Sequence, residues 1–427
     1  MRDLGIRKTE YLQFLNSQFL NLPADTESAF GGTPETIYMC ILGTFRWRIK
    51  MEIVKPVKRN VLLNPGPATT TDSVKFAQVV PDICPREQEF VDIMDEVRSE
   101  LVKVVHGDPE KYAALLFTGS GTIIQDVLVN SLVPEGKKLC VVNNVTYSAR
   151  MAEIAEYYHI PCVNLQFPST GLPDLNVVKE TLEKDRDIAV VATTHHETGT
   201  GVLNPVREIG KVAHDHGCIF VADTISTYGL LPINLEEENI DFCMSSAQKG
   251  LAGMTGVSWT VGNIREIEKT KDYPKRSYYC NLFMQYDFFH RVGEMHFTPP
   301  VQTVYALRQA IKEYWEEGEQ ARYERLTKCW EAIHKGMEEI GLASVIDREI
   351  QGHLVVTIKA PEDGEFDFFK LHDYCFERGF TIYPGKMFGL ETFRLCNLGW
   401  LTEKDIQDFF VVAKEAFREM GYMIPIK

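Results

Sequence analysis

The sequence has no long apolar run, no closely spaced cysteines and too little positive charge to balance its acids. The longest apolar stretch near its start, Ile37 to Gly43, is far too short to span a bilayer. No basic segment is followed by an apolar one and a small-residue cleavage site, so a signal peptide is not expected. The ten cysteines are scattered, and none stands two to four residues from another, as zinc or redox motifs require. Buried reduced thiols are expected instead, in a cytoplasmic protein. Against 45 Lys and Arg stand 60 Asp and Glu, a formal net charge of -15 that would repel a phosphate backbone. These absences argue against nucleic acid and membrane as partners. They leave room for an anionic small molecule held by a local Arg or Lys pocket.

What is present is the composition of a globular protein, 44% apolar and 25% charged, in a chain of 427 residues. That length exceeds what one hydrophobic core usually supports, so a large and a small domain are expected. From Val61 onward short apolar runs alternate with helical periodicity. Phe90, Ile93, Met94, Val97, Leu101, Val104 and Val105 share one helical face, and Gly107 follows as a stop. Leu139–Val142, Val163–Phe167, Ile188–Thr193 and Ile219–Ala222 read as strands, with helices over Met151–Tyr158 and Val206–His216. This alternation predicts an α/β fold with a mostly parallel sheet covered by helices. Beyond Pro300 the pattern becomes mostly long helix to Ile340, then a strand over His353–Lys359 and helices near Phe366–Arg378 and Thr402–Met420. The expected division is an N-terminal extension over 1–57, a large domain over 58–315 and a small α+β domain over 316–427. The extension shows no clear period, and Met51 would make a natural start for the folded part.

Three segments carry chemistry. Thr118-Gly-Ser-Gly-Thr-Ile-Ile precedes an apolar helical pattern, and glycines at a helix N-terminus bring backbone N–H groups close to an anion. Alone, the segment reads equally as a glycine-rich turn with a cap. Cys218-Ile-Phe-Val-Ala-Asp223 is a strand ending in a carboxylate, at the edge where ligands of open α/β sheets bind. Such an Asp is also a common helix cap. Ser245-Ser-Ala-Gln248-Lys249-Gly places a lysine among small residues after the strand Phe242–Met244. Desolvation there would lower its pKa and make it a nucleophile. The alternative is a surface lysine in a loop.

The order of these segments, with further motifs, resembles the fold-type-I pyridoxal-5′-phosphate aminotransferases, in the branch of alanine–glyoxylate and serine–pyruvate aminotransferases. The motifs are Asn64-Pro-Gly-Pro67, Thr118–Thr122, His196-Glu-Thr-Gly-Thr-Gly201, Ala222–Ser226, Ser246–Lys249, Phe297-Thr-Pro-Pro300, Ile382-Tyr-Pro-Gly-Lys386 and Phe393-Arg394. Within the branch the likeness is greatest to the family acting on 2-aminoethylphosphonate and pyruvate. The resemblance implies that Lys249 bonds the cofactor and shuttles a proton, and that Asp223 faces the pyridinium nitrogen. It implies a phosphate cup of Ser120, Gly121 and Thr122, assisted by Gln248 and by Thr298 from a partner subunit, hence a homodimer with shared sites. Tyr147 matches the residue that stacks on the ring, and Thr198 the one that hydrogen-bonds its phenolic oxygen. Arg394 matches the arginine that holds the substrate's acidic group, with Pro65 and Gly66 beside the substrate. Amine and oxo-acid small molecules would be the substrates, giving phosphonoacetaldehyde and alanine. One departure is the segment Asp82–Phe90, which is closer to the alanine–glyoxylate group and keeps that specificity open as the alternative. The other alternative is an idle binding protein of the same fold. A cysteine desulfurase is disfavoured because Gln, not His, precedes Lys249.

Other features have plainer readings. His195-His196-Glu197 lacks the spacing of a zinc helix, so no metal is expected. The aromatics Tyr278, Tyr279, Phe283, Tyr286, Phe288 and Phe289 read as packing more than as a substrate mouth, and Glu313–Glu319 as a solvated helix face.

Overall fold

The apolar runs become strands because each is long enough to be buried on both faces and is stopped by a polar or glycine-bearing turn. The computed structural model describes residues 59–362, 366–385 and 389–426. The expected extension over 1–57 and Lys386 lie outside the described residues. In chain order the strands are β1 Val61–Leu62, β2 Tyr112–Thr118, β3 Lys138–Asn143, β4 Cys162–Gln166, β5 Ile188–Thr194, β6 His196–Glu197 and β7 Val202–Leu203. They continue with β8 Ile219–Asp223, β9 Phe242–Ser246, β10 Val257–Asn263, β11 Val355–Lys359, β12 Phe380–Thr381, β13 Tyr383–Pro384 and β14 Thr392–Cys396.

Seven strands form the main sheet in the order β2-β10-β9-β8-β5-β3-β4. β9, β8, β5, β3 and β4 run parallel, whereas β10 is antiparallel to both of its neighbours. Helices Gln88–Val104, Thr122–Leu132, Thr146–Tyr157 and Val206–Asp215 pack on the sheet. The first of these buries Phe90, Met94, Val97 and Leu101, three or four residues apart. Each such side chain stabilises by roughly 1.5–3 kcal/mol when taken from water. Leu115, Phe117, Val141, Val191, Phe220, Phe242 and Trp259 are fully buried in the same core.

A second core gathers Ile333, Met337, Val356, Phe393, Phe409 and Phe417 around the antiparallel sheet β11-β14-β13. β1 pairs in parallel with β12, and Val61 and Leu63 join this second core although they begin the described chain. Thr402 caps the last helix, Glu403–Glu419, in a reciprocal pair with Asp405.

The long helix expected over Val301–Ile340 is instead two helices, Val301–Glu317 and Glu319–Ile340. Gly318 sits at φ 82° and ψ 144°, where a side chain would be strained. The turn presents Glu317 to Arg322 at 2.7 Å and to Arg325 at 2.6 Å. Glu313 in turn accepts from Thr71 and Ser73. The acidic run is therefore a set of tertiary contacts more than a solvated face. Of the aromatic group, Phe289 is buried beneath the Arg98 guanidinium, and Tyr279 stacks on Phe297 with centroids 4.5 Å apart.

Candidate active site

Parallel strands all end at one edge of the sheet, and the loops that leave that edge converge. Here β2 leads to Gly119 and Ser120, β5 to His195, β8 ends at Asp223, and β9 leads to Lys249. The convergence encloses a cavity of about 180 Å³. Eight of the residues singled out in the sequence line it: Ser120, Gly121, Thr122, Tyr147, Thr198, Asp223, Gln248 and Lys249.

Lys249 enters from the turn after β9. Its backbone N–H donates to the Ser246 carbonyl at 3.2 Å. The turn is packed so closely that a Cβ on Gly250 would overlap the Tyr228 carbonyl oxygen. The Lys249 amine donates to the Pro65 carbonyl. Gly66, at φ +133°, lies against the lysine stem, and a Cβ there would stand 2.7 Å from Cε. Pro65 and Gly66 thus seat the amine. Burial lowers the Lys249 pKa, the Cys396 thiol and the Asp223 carboxylate oppose that shift, and Arg394 and Arg150 reinforce it.

Asp223 is buried at the end of β8. Gln125 Nε2 donates to its Oδ2 at 2.6 Å, and the Ile225 N–H donates to Oδ1 at 3.0 Å. Burial raises its pKa, and those two donors resist the rise. A buried carboxylate with only neutral hydrogen-bond partners is costly, and a cationic ring nitrogen would relieve it.

The other half of the cavity is polar. Thr122 begins the 11-residue helix Thr122–Leu132, with Ser120 and Gly121 just before it, so backbone donors and the helix dipole favour an anion there. Gln248 accepts from Ser246 Oγ at 2.5 Å. Arg394 does not itself line the cavity; it is fully buried on β14, with Nη1 donating at 2.7 Å to the carbonyl of Thr198, which does line it, and Nε to the Pro384 carbonyl at 3.1 Å. Its Nη2 is buried with no partner among the described residues. Leaving such a donor unpaired costs about 1–3 kcal/mol or more, so it marks a place for an acceptor. Thr298 does not line the cavity of its own chain; its carbonyl accepts from Thr118 Oγ1 at 3.4 Å, beside the cup loop.

Other lining residues had been given no role. Arg150 and His196 line the cavity, and Gln125 supports Asp223 from within a helix. Glu197 is fully buried, its Oε2 accepting from the Tyr147 N–H at 3.1 Å and its Oε1 from the Gly199 N–H at 3.0 Å. It therefore ties the loop carrying Thr198 to the helix carrying Tyr147. Burial pushes its carboxyl up to about 7 despite those donors. Burial also holds His195 at about 4 and His196 at about 3, so both rings are neutral. Arg86, in the departing segment, lies elsewhere, bonded to Glu294 and to the Met295 carbonyl. No group of three or more His, Cys, Asp or Glu that could hold a metal occurs among the described residues.

The class-V aminotransferase family pattern matches residues 74–367. A 2-aminoethylphosphonate–pyruvate transaminase of Lysinibacillus sphaericus is 33% identical over 347 residues, covering 81% of this chain and 94% of that protein. One from Vibrio vulnificus is 34% identical over 350 residues, covering 81% and 95%. A bifunctional phosphonoacetaldehyde hydrolase/aminoethylphosphonate transaminase of Clostridioides difficile is 33% identical over 84% of this chain, but the match spans 56% of its length. Among solved structures, an alanine–glyoxylate aminotransferase from Nostoc sp. shares the fold, with a TM-score of 0.79 at 24% identity over 86% of this chain and 97% of that one. The chain belongs to the class-V aminotransferases and, within them, to the family of 2-aminoethylphosphonate–pyruvate transaminases.

Proposed function

We propose that the protein uses pyridoxal 5′-phosphate to move an amino group from 2-aminoethylphosphonate to pyruvate, releasing phosphonoacetaldehyde and L-alanine. The observation that carries this reading is an anion cup, a buried carboxylate and a desolvated lysine lining one cavity, with a buried arginine that has an unpaired donor held on Thr198 of the same lining. These residues fit the cofactor. Ser120, Gly121, Thr122 and Gln248 would hold its phosphate, Tyr147 its ring face, Thr198 its phenolic oxygen and Asp223 its ring nitrogen. When bound, the cofactor supplies an aldehyde that captures amines and a protonated ring that accepts an electron pair.

The chain's own groups do the rest. Asp223, ionised when it faces a cation, keeps the proton on the ring nitrogen. Lys249, whose burial favours the neutral amine, would remove the proton from the substrate carbon bearing nitrogen and deliver it to the carbon on the other side of that nitrogen. Arg394 holds the phosphonate of the amine, or the carboxylate of the oxo acid, through the donor that has no partner among the described residues. Pro65 and Gly66 fix the lysine's approach.

The division into a large domain over 58–315 and a small one over 316–427 assigns the cup, Asp223 and Lys249 to the first and Arg394 to the second. Two copies would share their sites, with Thr298 of each chain reaching the other's cup. Supporting this, Thr298 borders the cup loop without entering its own cavity. No helix among the described residues is long and apolar enough to cross a membrane. The nine described cysteines are all free thiols, in keeping with a cytoplasmic setting.

The test is a half-reaction. Holoenzyme mixed with excess 2-aminoethylphosphonate and no oxo acid should lose the aldehyde-form absorbance and gain the pyridoxamine form, and pyruvate should reverse the change. A shift with alanine or serine but not with this amine would move the chain to carboxylate-specific transamination.

A further inference from the structure

Arg150 lines the cavity, yet the sequence assigned it no role and the reaction as described does not use it. It sits one turn after Tyr147 on the helix Thr146–Tyr157. Its Nη1 donates to Thr122 Oγ1 at 3.2 Å, and its guanidinium carbon lies 4.9 Å from the centre of the Tyr147 ring. No carboxylate among the described residues pairs with it, although many other lysines and arginines among them have one. Lys249 is the other cation lining the cavity, and its amine is turned to Pro65. Arg394 lies outside the lining, engaged on the Thr198 and Pro384 carbonyls. The cup itself offers only neutral donors, from Ser120, Gly121 and Thr122.

A phosphate monoester carries nearly two negative charges at neutral pH. Neutral donors and a helix end offset only part of that charge in a partly desolvated site. We propose that Arg150 is the counter-charge of the cofactor's phosphate, working through the Thr122 hydroxyl and its remaining guanidinium N–H groups. Because the same guanidinium lies on the Tyr147 ring, phosphate binding and ring stacking are held by one side chain. The inference rests on the cofactor reading above.

The experiment titrates apoenzyme with pyridoxal phosphate and, separately, with pyridoxal, which lacks the phosphate, following the absorbance of the lysine-linked form. Arg150→Met should weaken pyridoxal phosphate binding about 10- to 100-fold. Its affinity for pyridoxal, which keeps only the ring stacking, should fall much less, by about two- to fivefold, and Arg150→Lys, which keeps charge without the planar fork, should fall between. Inorganic phosphate should compete with the cofactor less well in Arg150→Met than in the wild type. Equal losses for both aldehydes would assign Arg150 to the Tyr147 ring alone and overturn the proposal, as would an unchanged affinity for the phosphate form. If Arg150→Met does not fold by circular dichroism, Arg150→Lys and phosphate competition decide on the same terms. Wild-type apoenzyme that binds neither aldehyde would overturn the cofactor reading, and this inference with it.

Discussion

Replacing Glu197 with Gln isolates one buried titration. The Glu197 carboxyl is fully buried and pushed from 4.5 up to about 7, burial outweighing the N–H groups of Gly199 and Tyr147 that favour the charged form. A carboxyl whose folded pKa lies above its unfolded value stabilises the fold most when protonated. That contribution is complete below the unfolded value and is lost as pH rises through the folded one. A gap of about 2.5 units corresponds to roughly 3 kcal/mol, lost between about pH 4.5 and 7. Glu238, also raised to about 7, titrates in the same direction, while His195 and His196, depressed by burial, act in the opposite one. The total slope is therefore not diagnostic, but the difference between wild type and Glu197→Gln is. The Gln amide group faces one of the two backbone donors, which adds a pH-independent cost of about 1–3 kcal/mol. Urea unfolding of both apoenzymes between pH 5 and 7.5 should show the wild-type advantage shrinking by about 2–3 kcal/mol across that range. A difference that stays constant within about 0.5 kcal/mol would mean that Glu197 is ionised in the fold with no penalty, contrary to this expectation.

Two further substitutions probe the lysine seat and the acid site. Gly66→Ala places a methyl 2.7 Å from Lys249 Cε at φ +133°, so cofactor affinity measured by absorbance should fall at least about tenfold, with stability lower by about 1–3 kcal/mol. Arg394→Lys loses a planar fork held by Thr198 and Pro384, and steady-state kinetics should show KM for the acidic substrates rising about 10- to 100-fold with kcat changing much less.

Much of the sheet was legible because its parallel strands are uninterrupted apolar runs, and β3, β5 and β8 fall within a residue or two of the expected bounds. Asp223 and Lys249 could be proposed because both follow such runs directly. Gly318 was not legible as a break, since helix-forming residues flank it on both sides and only its positive φ separates the two helices. The pairing of β1 with β12 joins residues more than 300 positions apart, and two-residue strands carry no periodicity to announce it. Gln125, Glu197 and Arg150 share another cause. Each is a polar residue in a helix or a very short strand, where exposure is the usual expectation. Their burial or their aim into the cavity follows from the convergence of β2, β5, β8 and β9 at one edge, a tertiary fact. Glu197 did stand inside a quoted motif, His196–Gly201, which was the one available signal.

The proposed reaction rests on Lys249 as the amine that holds and exchanges the cofactor. Reducing the yellow holoenzyme with borohydride, digesting it and mapping the modified peptide by mass spectrometry tests this directly. A single phosphopyridoxyl group on Lys249 is expected, absent when the enzyme is first converted to the pyridoxamine form with 2-aminoethylphosphonate. Modification at another lysine, or none at all in an enzyme that turns over, would contradict it.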